Sequence, residues 1–459
     1  MTRSTRGNQL PRVRFTPPAG RSRRLAARLA RVESRNVTSL ADDFPIFWDR
    51  ARGSNVWDAD GNRYVDLTAG FGVAAVGHAH PRVVAAIRAQ TGRIPHGMGD
   101  VHPPVAKVRL LERLTSLAPL PGARAVLASS GGEAVEIALK TAVLYTGKPG
   151  VLAFTGAYHG LTYGALAVTD GAHFRAPFEV QLNPHVVRAP YPDPYRTPDE
   201  LRGEAELATA AIRAVETRLD TEAGSSVGAL IVEPIQGRGG GVVPPPGFLR
   251  RLSELCRERG ILLIADEIFT GFGRTGVRFA CEHEGVVPDL LVVGKALSGS
   301  LPLSACIGSG EVMEAWPGSE GEAIHTSTFL GNPPACAAAL ASLEVLEGKE
   351  LAGRAAEEGE RWRARLAEMA SRHPAVGDVR GCGFIVGLDL VRDLGSRAPH
   401  AALARRVVVS GLRRGWILLA GGPDGNVISL SPPLTIARQL LDAATRALDR
   451  ILFEVEGEE

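Results

Sequence analysis

The 459-residue chain contains very little lysine: five of its 52 basic residues are lysines, and the others are arginines. Between Lys148 and Lys349 only one lysine occurs, Lys295, in the stretch LLVVGKALSG. Arginine stays protonated and is no nucleophile, whereas a lysine with a lowered pKa offers an amine that condenses with a carbonyl. Lys295 is therefore a candidate for chemistry, and a solvated charge at a strand end is the ordinary alternative.

Cysteine is also scarce, with five residues and no C-x-x-C pair. An odd number of cysteines without such a pair argues against a disulfide framework or a zinc site, and favours reduced thiols in a cytoplasmic protein. His78 and His80 lie two residues apart, but no third ligand has a suitable spacing, so we expect no metal.

The chain also lacks an excess of one charge and lacks long apolar runs. A net charge of +2 gives no reason to expect nucleic acid or an anionic membrane as a partner. No stretch approaches the roughly 18 uninterrupted apolar residues of a membrane span. Residues 1–32 contain nine arginines and no acidic residue. We expect residues 1–36 to form a loose basic tail that leads into a short helix.

Short apolar runs alternate with helix-like stretches through the middle of the chain. The runs RAVLASS, GVLAFTGAYHG, VGALIVEP, GILLIADE and DLLVVGK are typical of buried strands, and EAVEIALKTAVLY and PPGFLRRLSELCRERG are typical of helices. This alternation predicts an α/β fold, with a three-layer, mostly parallel sheet over residues 86–334. We expect residues 37–85, with a hairpin at NVWDADGNRYVDL, and 335–459 to form a smaller α+β domain.

Three of the predicted central strands end in polar residues, namely Glu233, Asp266 and Lys295. In open α/β sheets the ligand crevice lies beyond the carboxyl ends of the strands. Three strand-end charges on one edge therefore predict a functional site.

A fourth element, ASSGGEAVEIALK, runs from a strand through two glycines into a helix. Gly131 and Gly132 leave backbone N–H groups uncovered at the helix N-terminus, which is a ready anion site. A capping box of Ser130 and Glu133 is the structural alternative. An amine, a carboxylate and an anion site on one crevice together predict a cofactor with an aldehyde and a phosphate, which is pyridoxal 5'-phosphate (PLP).

Several motifs carry a family resemblance. FTGAYHG, VEPIQGRGG, ADEIFTGFGRTG, GKALSGSLPLSA and TSTFLGNPPACAAA, in this order, resemble the class III (omega) aminotransferases, of PLP fold type I. VWDADGNRYVDLTAGFGVAAVGHAHP and VRGCGFIVGLDL are similar to terminal signatures of that family. The resemblance implies ping-pong transfer of an amino group from an amine, ω-amino acid or amino acid to a keto acid. A racemase or epimerase of the same family, and a PLP-binding protein without turnover, are the alternatives.

The resemblance also implies roles for single residues. Lys295 matches the lysine that forms the Schiff base with PLP and then moves the proton. Asp266 matches the partner of the pyridine nitrogen. Tyr158 and Ile268 match the residues on the two faces of the ring, and Glu233 matches a carboxylate near the substrate.

Three further positions match the phosphate site. Gly131 and Gly132 match its backbone cup. Thr328 matches a phosphate ligand that comes from the neighbouring subunit, which implies a homodimer with shared sites.

Two positions depart from the family pattern. Phe269 stands where many relatives have a glutamine near the phenolic oxygen of the ring. Ser429 stands where many glutamate-using members have an arginine that grips the substrate's α-carboxylate, and a hydroxyl cannot make that bidentate pair. Either another arginine enters the pocket, or the natural substrates need no such clamp.

Overall fold

The computed structural model describes residues 7–197 and 203–457. In this part of the chain the α-helices are α1 (Gly20–Val32), α2 (Pro81–Arg93), α3 (Val105–Leu117), α4 (Gly131–Thr146), α5 (Tyr163–Val168), α6 (Ala172–Arg175), α7 (Glu204–Leu219), α8 (Phe248–Arg259), α9 (Gly310–Met313), α10 (Pro333–Gly348), α11 (Leu351–Ala370), α12 (Ala401–Arg413) and α13 (Arg438–Glu456). The strands are β1 (Trp48–Arg52), β2 (Asn55–Asp58), β3 (Arg63–Asp66), β4 (Arg124–Ala128), β5 (Gly150–Phe154), β6 (Val186–Ala189), β7 (Val227–Val232), β8 (Leu262–Asp266), β9 (Leu290–Val293), β10 (Ser304–Gly308), β11 (Val376–Cys382), β12 (Ile385–Leu390), β13 (Trp416–Ile417), β14 (Leu419–Gly421) and β15 (Val427–Leu430).

These elements form two compact units. One unit holds the described residues up to His80 and those from Glu357 onward, and the other is Pro81–Ala356. None of the helices within the described ranges combines the length and the apolar character needed to cross a lipid bilayer.

A seven-stranded sheet forms the centre of Pro81–Ala356, with the strand order β4-β10-β9-β8-β7-β5-β6. β10 is antiparallel to both neighbours, and the pairs that join β9, β8, β7, β5 and β6 are parallel. Every residue of β7, β8 and β9 is buried. Strands covered on both faces need continuous apolar sequences such as VGALIV and LLVV, because neither face meets water. The predicted α/β fold with a mostly parallel sheet is confirmed.

The unit boundaries differ from the predicted ones. Helix α10 packs against α2 and α3, which places it in Pro81–Ala356. Its sequence is apolar on nearly all sides, as expected for a buried helix. The boundary predicted after residue 334 therefore moves to Ala356, inside α11. The boundary predicted after residue 85 moves to His80, because α2 begins at Pro81.

The other unit contains two four-stranded sheets, in the orders β1-β2-β3-β13 and β11-β12-β15-β14. β2 and β3 pair antiparallel, so the predicted hairpin is present. The Asp58 carboxylate closes its turn by accepting hydrogen bonds from the backbone N–H groups of Asp60 (3.0 Å) and Asn62 (2.8 Å).

The prediction of a loose N-terminal tail is wrong for the described part of residues 1–36, because the β2–β3 hairpin binds this segment through hydrogen bonds. The Arg14 backbone N–H donates to the Asn62 side chain (2.8 Å), and the Ser22 backbone N–H donates to Asp60 (2.9 Å) at the start of α1. Polar side chains of the hairpin therefore fix a segment that has little apolar sequence of its own. The first six residues, which belong to the same prediction, lie outside the described residues.

Candidate functional site

A cavity of about 540 Å³ opens at the carboxyl ends of β7, β8 and β9. All the residues that line it belong to Pro81–Ala356. Seven of the eight predicted site residues line it: Gly131, Gly132, Tyr158, Glu233, Asp266, Ile268 and Lys295. The strand-end polar residues therefore meet at one place, as the order of the parallel strands requires.

Lys295 follows β9 and has a left-handed backbone, with φ of 42°. Such a conformation is strained for a residue with a side chain, and strained residues concentrate at functional sites. Removal from water lowers the pKa of the Lys295 amine to about 8, against the opposing effect of the Asp266 and Glu233 carboxylates. Its Nζ lies 4.3 Å from the centre of the Phe269 ring. Far more of this amine is therefore neutral near pH 8 than in an ordinary exposed lysine, and a nucleophile or base requires the neutral form.

Asp266, the last residue of β8, is buried and held from two sides. Its Oδ2 lies 2.7 Å from Nδ1 of His159, and its Oδ1 accepts a hydrogen bond from the Ile268 backbone N–H at 3.0 Å. An ionised carboxylate only accepts, so Nδ1 of the buried His159 is the donor. Among the described residues, His159 Nε2 has no hydrogen-bond partner although it is buried. The arrangement fixes the carboxylate and leaves room for one more donor.

Glu233, which follows β7, is a buried carboxylate that organises two loops. Its Oε1 accepts from the Tyr158 backbone N–H (2.8 Å), and its Oε2 accepts from the Gly237 backbone N–H (3.0 Å). Burial raises the pKa of Glu233, and these two backbone donors act against that rise. Glu233 thus holds both the loop with Tyr158 and the loop that begins at Gly237.

The N-terminus of α4 forms the third wall of the cavity. The Ser130 hydroxyl accepts from the Glu133 backbone N–H (3.2 Å), so Ser130 caps the helix, but the Glu133 carboxylate accepts from the Ser129 backbone N–H (2.8 Å) rather than from that of Ser130, so only half of the capping box is present. A Cβ atom on Gly131 would lie 2.9 Å from Ile268 Cδ1. Gly160 has φ of +132°, and a Cβ on it would lie 2.9 Å from Gly132 Cα. These close approaches keep the backbone N–H groups at the start of α4 free of side chains.

Arg238, which lines the cavity, packs on two aromatic rings. Its guanidinium lies 5.0 Å from the centre of the Tyr158 ring, which also lines the cavity, and 5.0 Å from that of Phe174. Burial raises the pKa of the Tyr158 hydroxyl, and the Arg238 charge partly opposes that rise.

Thr328, the eighth predicted site residue, is exposed and does not line the cavity of this chain. Its role as a ligand supplied by a neighbouring subunit stays a prediction. Ser429 lies in β15 of the other unit, where its buried hydroxyl has no hydrogen-bond partner.

The sequence did not indicate the roles of two cavity residues. His159 Nδ1 is bonded to Asp266, a contact that no sequence pattern predicts. Arg238 was not singled out, although GRGGG presents one charged side chain among four glycines.

Comparisons with known proteins agree with this geometry. The family model described as Aminotransferase class-III matches residues 37–452. A 4-aminobutyrate aminotransferase of Mycobacterium leprae (strain TN) is 40% identical, over 95% of this chain and 96% of that protein. An alanine/serine racemase of Pyrococcus horikoshii is 35% identical, over 97% of this chain and 93% of that protein. The structure of a PLP-bound amine transaminase from an uncultivated Pseudomonas species is 33% identical with a TM-score of 0.86, and the match covers 92% of this chain and 98% of that one.

The residues of the cavity fit PLP. The aldehyde needs an amine that can lose its proton, and Lys295 is one, since its pKa is lowered to about 8. The pyridine nitrogen needs a buried carboxylate, which Asp266 supplies. The phosphate needs uncovered N–H groups, and the start of α4 at Gly131 and Gly132 has them.

Proposed function

We propose, from the premise that this chain belongs to the class III aminotransferases, that Lys295 and Asp266 carry its PLP-dependent transfer of amino groups to a keto acid. The observation that carries the proposal is the cavity in which an amine of lowered pKa and a buried carboxylate lie together at the ends of β9 and β8. When bound, PLP supplies the aldehyde that condenses with amines and the protonated ring that withdraws electrons from the substrate.

Lys295 has two tasks in this proposal. Its neutral Nζ would hold the aldehyde of PLP. Once free of the cofactor, the same Nζ would accept the proton from the amine-bearing carbon of the substrate and later give that proton up again. A base with a pKa near the working pH suits both directions of this transfer, and the value of about 8 fits that need.

Asp266 holds the pyridine nitrogen in its protonated form. A buried carboxylate requires a cationic or hydrogen-bonding partner to stay ionised. His159 donates to its Oδ2, and the Ile268 backbone N–H donates to its Oδ1. These two bonds keep the carboxylate from rotating, so that the ring nitrogen meets it in one orientation.

The start of α4 would bind the phosphate through the backbone N–H groups near Gly131 and Gly132. Tyr158 and Ile268 would hold the ring of the cofactor. We infer that a second copy of the chain completes the site, because Thr328 is exposed and outside the cavity of its own chain. Light scattering should give a homodimer, and Thr328→Val should weaken PLP binding by roughly tenfold without changing the oligomeric state.

A cytoplasmic location is part of the proposal. All five cysteines are free, and four of them are buried. A chain with unpaired thiols suits a reducing compartment. Fractionation of the native host with an antibody against the chain tests this location.

Transfer is favoured over racemisation. The M. leprae relative, which is named for transfer, has a higher identity to this chain than the racemase does. The purified enzyme, given an amino donor and either pyruvate or 2-oxoglutarate as the acceptor, should convert the acceptor into a new amino acid. Conversion of an L-amino acid into its enantiomer without any amino product from the acceptor would establish the racemase instead.

The Lys295 assignment has a direct chemical test. Borohydride reduction of the holoenzyme, followed by digestion and mass spectrometry, should find the cofactor on the peptide with Lys295. Lys295→Ala should abolish turnover because it removes the amine, and Lys295→Arg should do the same because a guanidinium stays protonated. Lys140→Arg, at an exposed position of α4, serves as the matched control. A cofactor adduct on Lys140 or Lys107 would overturn the assignment.

A further inference from the structure

The cavity contains one feature that the transfer of an amino group does not explain by itself. Arg238 is the only arginine among the described residues that line it. The arginine that the family resemblance would place at position 429 is absent, since that residue is a serine. Arg238 is therefore the candidate residue for binding a substrate carboxylate.

The backbone that carries Arg238 is a closed loop. Gln236 and Val242 exchange two backbone hydrogen bonds, of 3.0 and 3.1 Å. The residues between them are Gly-Arg-Gly-Gly-Gly, so Arg238 carries the only side chain of this segment. Glu233 also accepts a hydrogen bond from the Gly237 N–H (3.0 Å). The same buried carboxylate therefore fixes the loop and the backbone of Tyr158.

The other side of the loop packs closely on Phe269. A Cβ on Gly237 would come 2.4 Å from Phe269 Cδ1, so no larger residue fits there. The same Phe269 ring lies 4.3 Å from the Lys295 Nζ. The Phe269 ring thus contacts both the loop of Arg238 and the reacting amine.

The Arg238 guanidinium lies against two aromatic rings. The Tyr158 and Phe174 rings lie 5.7 Å apart at an angle of 69°, and Arg238 is 5.0 Å from the centre of each. Contacts with ring faces hold a guanidinium without neutralising it, and they leave its in-plane N–H groups available. Within the described residues Arg238 makes no ion pair. Its charge also lowers the pKa of Lys295, in the same direction as the larger effect of burial.

Arg238 and Lys295 lie at different depths. Arg238 is exposed, and Lys295 is partly buried at the end of β9. A substrate whose amine or keto carbon reaches Lys295 therefore extends toward Arg238 with its remote end.

We propose that Arg238 binds the substrate's remote carboxylate, which is the carboxylate at the opposite end of the substrate from the reacting carbon. The substrate class is then ω-amino acids as donors and dicarboxylic keto acids as acceptors. This inference rests on the proposed aminotransferase function, and adds the residue that selects the substrate. A guanidinium binds such a carboxylate through two parallel N–H···O bonds.

A pair of donors that differ only in the carboxylate tests the inference. The holoenzyme and Arg238→Gln would each be mixed with 4-aminobutyrate or with butylamine, without an acceptor, and the change in cofactor absorbance would be followed. Arg238→Gln should lower the ratio of kcat/KM for 4-aminobutyrate to that for butylamine by about tenfold, mostly through KM, because a partly exposed charge-assisted pair is lost. Arg238→Lys should retain part of the preference, since it keeps the charge but not the fork.

Binding of glutarate gives a readout that does not depend on turnover. Glutarate has two carboxylates and no group that reacts, and calorimetry should show it bound about tenfold more weakly by Arg238→Gln. Arg213→Gln removes the same charge from the exposed face of α7, outside the cavity, and serves as the matched control. Thermal unfolding of each variant checks that the fold is intact.

The outcomes separate the two claims. If the wild-type enzyme transfers an amino group to pyruvate or 2-oxoglutarate from no donor, the proposed function fails; if it uses other donors but converts neither 4-aminobutyrate nor butylamine, only this inference is overturned. If it converts them but Arg238→Gln leaves the ratio and the glutarate affinity unchanged, this inference is overturned and the transferase remains. Equal losses with both donors would assign Arg238 to the cofactor instead, which also overturns the inference.

Discussion

The inner and outer parts of the cavity differ in how their side chains are held. At the inner end, Asp266 terminates a buried strand and receives hydrogen bonds from His159 and a backbone N–H. At the outer end, Arg238 projects from a glycine loop and rests on two aromatic rings. The first end is fixed by directional bonds between buried atoms. The second is fixed by ring contacts that tolerate small shifts.

This difference corresponds to two chemical requirements. Proton transfer and ring protonation need groups in one orientation, because their effect depends on geometry within tenths of an ångström. Recognition of a remote carboxylate needs a charge in the right region, and solvent can contribute to it. Substitutions at the inner end should therefore reduce kcat strongly, whereas those at the outer end should change KM for selected substrates.

Among the substitutions that leave Lys295 in place, the largest effect is expected from Asp266→Asn. The amide has nearly the same shape but no charge, so it cannot keep the pyridine nitrogen protonated. The variant should fold and bind PLP, but kcat should fall by at least about 100-fold, since electrostatic stabilisation in a site closed to water is lost. Stopped-flow measurements with a saturating donor give this value. Near-normal turnover would contradict the role of Asp266.

A graded version of the same test uses the partner of Asp266. His159→Phe keeps a ring in the space but removes the donor to Oδ2, and kcat should fall by roughly tenfold. A purely structural role would leave the spectrum of the bound cofactor unchanged. If His159 positions the carboxylate, the pH dependence of that spectrum shifts as well. His185→Phe, at an exposed site of the same unit, is the control.

The pH dependence of Lys295 gives the next effect. Burial lowers its pKa in the folded protein from 10.5 to about 8. Cofactor-free protein should therefore combine with PLP tenfold more slowly for each pH unit below about 8, because only the neutral amine attacks, and the rate should level off above that pH. Rapid mixing at a series of pH values gives the profile.

The same shift has a consequence for stability. Between pH 8 and 10.5 the unfolded chain holds a proton on this lysine that the folded chain has released. More protons bound to the unfolded state mean that stability rises with pH, so the cost of burying the charged Lys295, which is present in full below pH 8, is relieved across this window in the cofactor-free protein. Lys295→Met should remove this pH dependence in urea unfolding. If the rate at which the cofactor-free protein combines with PLP were half-maximal near pH 10.5, the lowered pKa of Lys295 would be contradicted.

The inner end was largely predictable from the sequence. Glu233, Asp266 and Lys295 each follow an apolar run, and parallel strands in adjacent positions must place their carboxyl ends together. The interpretation of these runs as parallel strands was therefore enough to predict that the three residues lie together. The hydrogen bond from His159 to Asp266 was not predictable, because it joins residues 107 positions apart through loop geometry.

The outer end could not be predicted in this way. Arg238 and Tyr158 belong to connections between elements, and Phe174 belongs to the four-residue helix α6; no periodic pattern records where such short segments meet. The prediction of a loose N-terminal segment was wrong for a related reason. Its contacts are hydrogen bonds to Asn62 and Asp60 rather than burial of an apolar stripe, so hydrophobic patterning carries no signal for them.

The smallest effect is expected at the outer end, from Phe174→Leu. Leucine keeps most of the apolar volume but removes one of the two ring faces beside the Arg238 guanidinium. A cation–π contact at an exposed site contributes about 0.5–1 kcal/mol, so KM for 4-aminobutyrate should rise by about two- to fivefold. KM for butylamine, which presents no carboxylate to Arg238, should change less. The same substitution in Arg238→Gln should have little further effect, because the ring then has no cation to hold. Steady-state kinetics of the two single variants and the double variant complete this cycle. Additive effects would mean that Phe174 acts on the cavity independently of Arg238, and a loss in kcat as large as that of Asp266→Asn would remove the distinction between the two ends.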